Sequence, residues 1–304
     1  MQNFRALSLI AFLVFFAGCS RPDAAVQHTL PGSCTVYDMK QAACIDEAAL
    51  VKRLSHYRVL FVGDHHAASR MHEVFAELLA ALGRSGRRIL LANEWFTPGD
   101  DALLSRYADG TFEGNFTEAV GWEKKAGFPF ESYAPIYESV KTAGGALYGI
   151  NMDKSFQKAL SENNLSALSE AQRVFYEALD MNLTPHRSLF EPFFAHCHAA
   201  KPGEDTQSCA ERMYRVQVAW DTYMAQQSEK LAAEKLRTPE DLLVVFAGAM
   251  HLAYGVGINA RFARLSDEPF VTMLPVPEGT DSADVGEADF LLFYRGGPEQ
   301  EGAE

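Results

Sequence analysis

Two histidines, His66 and His251, occupy the same place in the same short pattern. In each case an apolar run, Val59–Val62 or Val244–Ala247, meets a glycine, Gly63 or Gly248, and the histidine follows three residues later. Continuous apolar runs of this kind fit parallel strands buried on both faces. Glycine permits the tight turn and close backbone approach that end such a strand. Ligands of open α/β sheets sit beyond the carboxyl ends of the strands. The paired turns therefore predict that His66 and His251 share one rim. Glu94 ends a third run, Arg88–Ala92, and is expected beside them. Asp64, His65 and His72 crowd the first turn, with His72 on the opening turns of a helix that can point it back toward the strand edge. Carboxylates among imidazoles suit general acid–base chemistry or a divalent metal such as zinc, for which His66, Glu94 and His251 are the candidate ligands. The competing reading is that the histidines satisfy buried turn backbone.

Further polar residues border this set. Gln217 and Asp221, four apart on a long helix over Gln207–Leu236, share a face beside the apolar stripe of Met213, Val216, Trp220, Met224 and Leu231. They fit either outer partners that orient a histidine or a surface pair. Tyr254 follows His251, and Tyr133 and Tyr137 share one helix face. A tyrosinate can ligate ferric haem, whereas an ordinary tyrosine packs its ring and leaves its hydroxyl at a polar rim. His196 and His198 flank Cys197 but project to different sides of a helix, so they are poor joint ligands. No phosphate-cradling loop, G-x-S-x-G elbow, H-E-x-x-H pair or dinucleotide fingerprint occurs.

The elements that must carry these residues alternate. Strands are predicted at 58–62, 88–92, 146–150, 242–247, 270–274 and 289–294. Helices are predicted at 45–54, 69–82, 133–143 and from 258, with a further helix opening at Pro98-Gly99-Asp100 and an aromatic loop over 121–131. Residues 154–235 read as mostly helical. The fold class is α/β: a mostly parallel central sheet flanked by helices, with a helical insert and a C-terminal strand pair.

The chain of 304 residues opens with an apolar stretch, Ala6–Ala17, closed by Gly18-Cys19. That is shorter than the ~20 residues a membrane span needs and reads as a secretory signal. The cysteine after it resembles a lipoprotein acceptor. Residues 1–18 are expected as the signal peptide, 19–44 as a tether and N-terminal loop beginning at a lipidated Cys19, 45–295 as the α/β domain, and 296–304 as a disordered tail. Export agrees with the remaining cysteines, Cys34, Cys44, Cys197 and Cys209, for which local pairs are two of the bonds among three pairings. The net charge of −13 disfavours nucleic acid and anionic membrane as partners, so membrane attachment would come from lipid alone.

Read together, these pieces resemble the ChaN-like group of haem-binding uptake lipoproteins in the Tiki/TraB/EreA-like superfamily. The match runs over roughly residues 55 to 275. It is carried by Gly63-Asp64-His65-His66, the region of His72, Asn93-Glu94-Trp95-Phe96, Asn151, the helix with Gln217, Asp221, Met224 and Ala225, and Gly248, His251, Tyr254, Gly255, Gly257 and Ile258. Asp64 stands where the family has glutamate, and Ala67-Ala68-Ser69 replaces its Asp-Asn-Pro run. The resemblance implies a lipid-anchored protein, facing the periplasm from a bacterial outer membrane, that serves haem uptake. It implies haem held between the subunits of a homodimer, a tyrosine on the iron, and histidine or lysine on the propionates. An outer-membrane haem receptor is the implied protein partner. The cofactor-binding candidates are Tyr254, Tyr133, His66, His72 and His251, with Trp95, Phe96, Phe128 and Phe130 as an apolar slot. The competing class within the same superfamily is a metal-dependent hydrolase or protease working through His66, Glu94 and His251. The balance of the reading is toward binding rather than catalysis.

Overall fold

The computed structural model describes residues 26–195, 197 and 201–296. Cys19, the expected signal peptide, His196, His198 and nearly all of the expected tail lie outside them.

The N-terminal segment adds structure that the sequence did not suggest. Three-residue strands occur at Gln27–Thr29 (β1), Val36–Asp38 (β2) and Ala43–Ile45 (β3). Such short pieces carry no readable period. A disulfide between Cys34 and Cys44 ties the β2–β3 hairpin. Asp46 then caps the helix Glu47–Leu54 (α1) by accepting from the Ala49 N–H.

The central alternation is as predicted. Strand Val59–Asp64 (β4) leads to helix Ser69–Arg84 (α2), and strand Arg88–Asn93 (β5) to helix Asp101–Ala108 (α3). The aromatic loop contains two short helices, Phe116–Val120 (α4) and Trp122–Lys125 (α5), before helix Phe130–Thr142 (α6) and strand Ala146–Gly149 (β6). The insert is helical: Lys154–Ser161 (α7), Glu170–Glu177 (α8), Thr184–Phe194 (α9) and the long Thr206–Lys235 (α10). Cys197 is bonded to Cys209, joining the end of α9 to the start of α10. The chain returns to the sheet at Asp241–Gly248 (β7), passes through helix Ile258–Phe262 (α11) and closes with Phe270–Pro277 (β8), Ser282–Asp284 (β9) and Phe290–Tyr294 (β10).

The main sheet has eight strands in the order β3-β2-β10-β8-β4-β7-β5-β6. The six from β10 to β6 are parallel; β2 and β3 add an antiparallel edge. A separate ribbon pairs β1 with β9. Successive residues of β4 alternate between two cores, as the pleat requires. Leu60 and Val62 meet α2 and α6, while Val59 and Phe61 meet α10 and α11. In the parallel pairing of β4 with β7, Gly63 lies opposite Ala247 and Asp64 opposite Gly248. The two glycine–histidine turns thus leave adjacent central strands one residue out of step.

Candidate functional site

His66 and His251 do meet, and Glu94 lies between them. His66 Nε2 is 3.6 Å from Glu94 Oε1, and His251 Nε2 is 3.8 Å from Glu94 Oε2. The Gly248 N–H, at the end of β7, donates to Glu94 Oε2 at 2.9 Å and fixes the carboxylate. The side-chain amide of Asn151, just past β6, donates to the Glu94 carbonyl at 2.7 Å. Gly248 has a steric role as well: a β-carbon there would lie 3.2 Å from His66 Cε1 and 3.4 Å from His251 Cδ2. Gly257 is stricter, since its β-carbon would fall 1.9 Å from the His251 carbonyl oxygen.

Each rim imidazole turns its other nitrogen to a buried aspartate. Asp64 Oδ2 is 2.8 Å from His66 Nδ1, and its other oxygen is 2.7 Å from Nε2 of the fully buried His72. His72 Nδ1 meets the Ser132 carbonyl and hydroxyl at 3.0 and 2.9 Å. Opposite, Asp221 Oδ1 bonds His251 Nδ1, and Asp221 Oδ2 is 2.6 Å from Nε2 of the buried His186. The Tyr214 hydroxyl is 3.0 Å from His186 Nδ1. Gln217 Nε2 is 2.9 Å from His251 Nδ1 and 3.3 Å from Asp221 Oδ1. Gln217 and Asp221 are therefore partners of the rim rather than a surface pair.

These contacts set the charges. Burial alone would raise the Asp64 carboxyl, but the His72 and His66 imidazoles outweigh it and hold the group well below the usual range. Asp221 behaves alike, its burial outweighed by His251, His186 and Arg261. Burial would lower His66, yet its bond to Asp64 and the charges of Asp64 and Glu94 raise it to about 9. Burial likewise opposes the charging of His251, and Asp221 with Glu94 raises it. His65, whose Nδ1 is 2.8 Å from the Tyr294 hydroxyl, is pushed by burial down to about 4. The buried aspartates thus favour the charged form of both rim imidazoles, which stand on either side of the Glu94 side chain. The rim is suited to gripping anionic oxygens or to donating protons. Among the described residues no group of three or more His, Cys, Asp or Glu side chains is arranged to hold a metal ion.

The aromatic candidates divide. Trp95 and Phe128 wall the His66 ring at centroid distances of 4.8 and 5.6 Å, and Trp220 stands 6.0 Å from His251. Phe96 is fully buried core, and Phe130 stacks on Tyr137. Tyr133 has no exposed surface and donates to Asp64 at 3.1 Å. Tyr137 is buried as well. Tyr254 differs: it is 40% exposed, takes the left-handed backbone (φ 59°), and donates from its hydroxyl to Asp284 Oδ2 at 2.7 Å. Holding a non-glycine residue there costs about 1–3 kcal/mol. His186, Tyr214, Ser132 and Asp284 were not identified as candidates from the sequence. His186 and Tyr214 lie in helical patterns that give no sign of their partner, and Asp284 lies in a loop whose strand is only three residues long.

Comparison with known proteins identifies the family. The family model for haem-binding uptake, Tiki superfamily, ChaN, matches residues 50–262. Among solved structures, ChaN of Campylobacter jejuni, described with cofacial haem binding, aligns with a TM-score of 0.64 at 17% identity over 86% of this chain and 96% of its own. A Bacillus cereus protein aligns at 0.46 with 10% identity, over 88% of this chain and 94% of its own. The erythromycin esterase EreC aligns at 0.44 with 13% identity, over 80% and 77%. No curated protein matches the chain in sequence.

Proposed function

We propose that this chain, which belongs to the haem-binding uptake family of the Tiki superfamily that includes ChaN, binds haem through Tyr254. The observation that carries the reading is the combination at that residue: an exposed phenol, a strained backbone, and a hydroxyl already placed on a carboxylate. A tyrosine phenolate is one of the ligands that hold haem iron, and Tyr254 is accessible for that role whereas Tyr133 is fully buried. His66 and His251 supply N–H donors suited to propionates. His72 acts through Asp64, being wholly buried. When bound, the haem would supply the Lewis-acidic iron that a phenolate ligates; this chain's residues position and charge the site.

The same reading makes the protein an exported lipoprotein: residues 1–18 a signal, Cys19 the acylated residue, and the anchored domain on the periplasmic side of an outer membrane. The two disulfides support an oxidising compartment, and no helix among the described residues is long and apolar enough to cross a membrane. Haem held between two subunits is the corresponding assembly, by analogy with the cofacial binding described for the Campylobacter protein, and a haem receptor in the outer membrane is its partner.

The test is titration of the purified protein with hemin, following the Soret band and the molecular mass. Saturable binding that raises the mass from monomer to dimer is the expected result. Absence of a saturable shift, together with retention of a divalent ion, would turn the reading to the hydrolase built on His66, Glu94 and His251. The facing of both imidazoles onto one carboxylate is the feature that favours that second reading. Intact-mass measurement of membrane-extracted protein checks acylation at Cys19.

A further inference from the structure

One short turn holds Tyr254 at two points. Its backbone N–H donates to the Glu287 carbonyl at 2.8 Å, and its hydroxyl to Asp284 Oδ2 at 2.7 Å. Asp284 ends β9, is 4% exposed, and accepts from Gln27 Nε2 of β1 at 2.9 Å. Val285 lies between the two anchors, and its N–H donates to the Val26 carbonyl at 2.8 Å. Seven large hydrophobic side chains are exposed among the described residues, and three of them, Val26, Val285 and Tyr254, meet at this ribbon. An exposed phenol held on a buried carboxylate beside bare apolar side chains is poorly explained as packing, because none of the three reaches the core. It matches a flat apolar ligand with an electrophilic centre.

We propose that Asp284 is the proton acceptor for Tyr254, and that the β1–β9 ribbon is the platform on which a ferric porphyrin lies. The inference rests on the haem-binding reading above and specifies its ligand chemistry. With a ferric porphyrin bound, Tyr254 Oη would give up its proton to Asp284 Oδ2 and would serve as a phenolate ligand, a transfer that moves a proton and no electron. An ionised carboxylate this close to a phenolate would repel it. Transfer keeps the charge of the Tyr254–Asp284 pair at −1 throughout and leaves a protonated carboxyl to donate back to the phenolate oxygen. The exposed Val26 and Val285 would offer apolar surface to a porphyrin bound there. Asp284 is thus a positioning residue that acts through Tyr254.

The experiment titrates hemin into the full chain and four variants, with Soret titration for affinity and resonance Raman for phenolate modes of the iron ligand. Tyr254→Phe should lose the phenolate modes. Asp284→Asn keeps an acceptor oxygen for the hydroxyl but cannot take its proton, so affinity should fall about tenfold or more and the modes weaken. Asp284→Glu keeps the carboxylate and should restore part of both. Val285→Glu changes an exposed residue, leaves circular dichroism unaltered, and should weaken hemin binding by about tenfold. If Asp284→Asn binds with wild-type affinity and modes, Asp284 is not the acceptor. If Asp284→Asn fails to fold, Tyr254→Phe and Val285→Glu decide: wild-type behaviour in both overturns the proposal. A wild-type protein with no saturable Soret shift would instead sink the haem reading itself. A saturable shift that all four variants share leaves haem binding standing but removes Tyr254 as ligand, Asp284 as acceptor and the ribbon as platform.

Discussion

On one side of Glu94, Asp64 holds His66 and His72; on the other, Asp221 holds His251 and His186. The bonding is alike: a buried carboxylate between a rim imidazole and a fully buried one, the latter closed by a hydroxyl from Ser132 or Tyr214. The origins are not. The first set lies within Asp64–His72, at the end of β4 and the start of α2. The second draws His186 from α9, Asp221 from α10 and His251 from beyond β7. A local set forms as soon as one strand and one helix pack. A dispersed set must first close long loops, with the entropy that this costs. The second half therefore leans on tertiary ties, namely the Cys197–Cys209 bond and the packing of Phe190 and Phe194 against Tyr214 and Val218.

Removing each carboxylate in turn should separate the two halves most strongly. Asp221→Ala strands His186, His251 and Arg261 and is expected to cost about 3–5 kcal/mol in urea unfolding. Asp64→Ala should cost less, and a larger loss at Asp64 would mean that the local half carries more of the fold. Next, replacing Cys197 and Cys209 by serine should remove about 3 kcal/mol, the scale for a loop of this length. In an imidazole NMR spectrum His251 should shift while His66 stays, if the bond serves only the dispersed half. His186→Ala, which leaves Asp221 and Tyr214 short of a partner in the interior, should cost about 2 kcal/mol, with hemin affinity measured alongside.

The pH profile offers a further check. Because the folded His66 titrates at about 9, above the ordinary histidine near 6.5, its contribution is complete below ~6.5 and is lost as pH rises through about 9. Asp64 and Asp221 are shifted the other way, so their contributions hold above an ordinary carboxyl near ~3.9 and are lost as pH falls toward their lower folded values. Following the His66 ring by NMR should give a midpoint near 9 that drops toward the ordinary value in Asp64→Asn. An unmoved midpoint would detach His66 from its carboxylate.

The same contrast explains what could be read from the sequence. The parallel strands and their rim were legible because β4, β5 and β7 are continuous apolar runs, and Gly63 and Gly248 mark where two of them end. Asp64 and His72 were visible as candidates by proximity alone. Asp221 and Gln217 showed through helical spacing, although spacing did not say which face was buried. His186 carried no signal, since its role exists only when α9 lies across α10. The strands β1, β2, β3 and β9 escaped because three residues define no period, and with them went Asp284. Tyr133 and Tyr254 looked equivalent in sequence; burial separates them.

The disulfide on the insert has a consequence for the order of events in the cell. Cys197–Cys209 ties the end of the helix that delivers His186 to the start of the helix that carries Asp221, so the bond favours the closed arrangement of the dispersed half. In a protein exported as proposed here, oxidation follows translocation. A chain still in the reducing cytoplasm would have the local half of its rim but a slack opposite wall. The stability of the dispersed half is then coupled to the redox state of the compartment in which the chain folds.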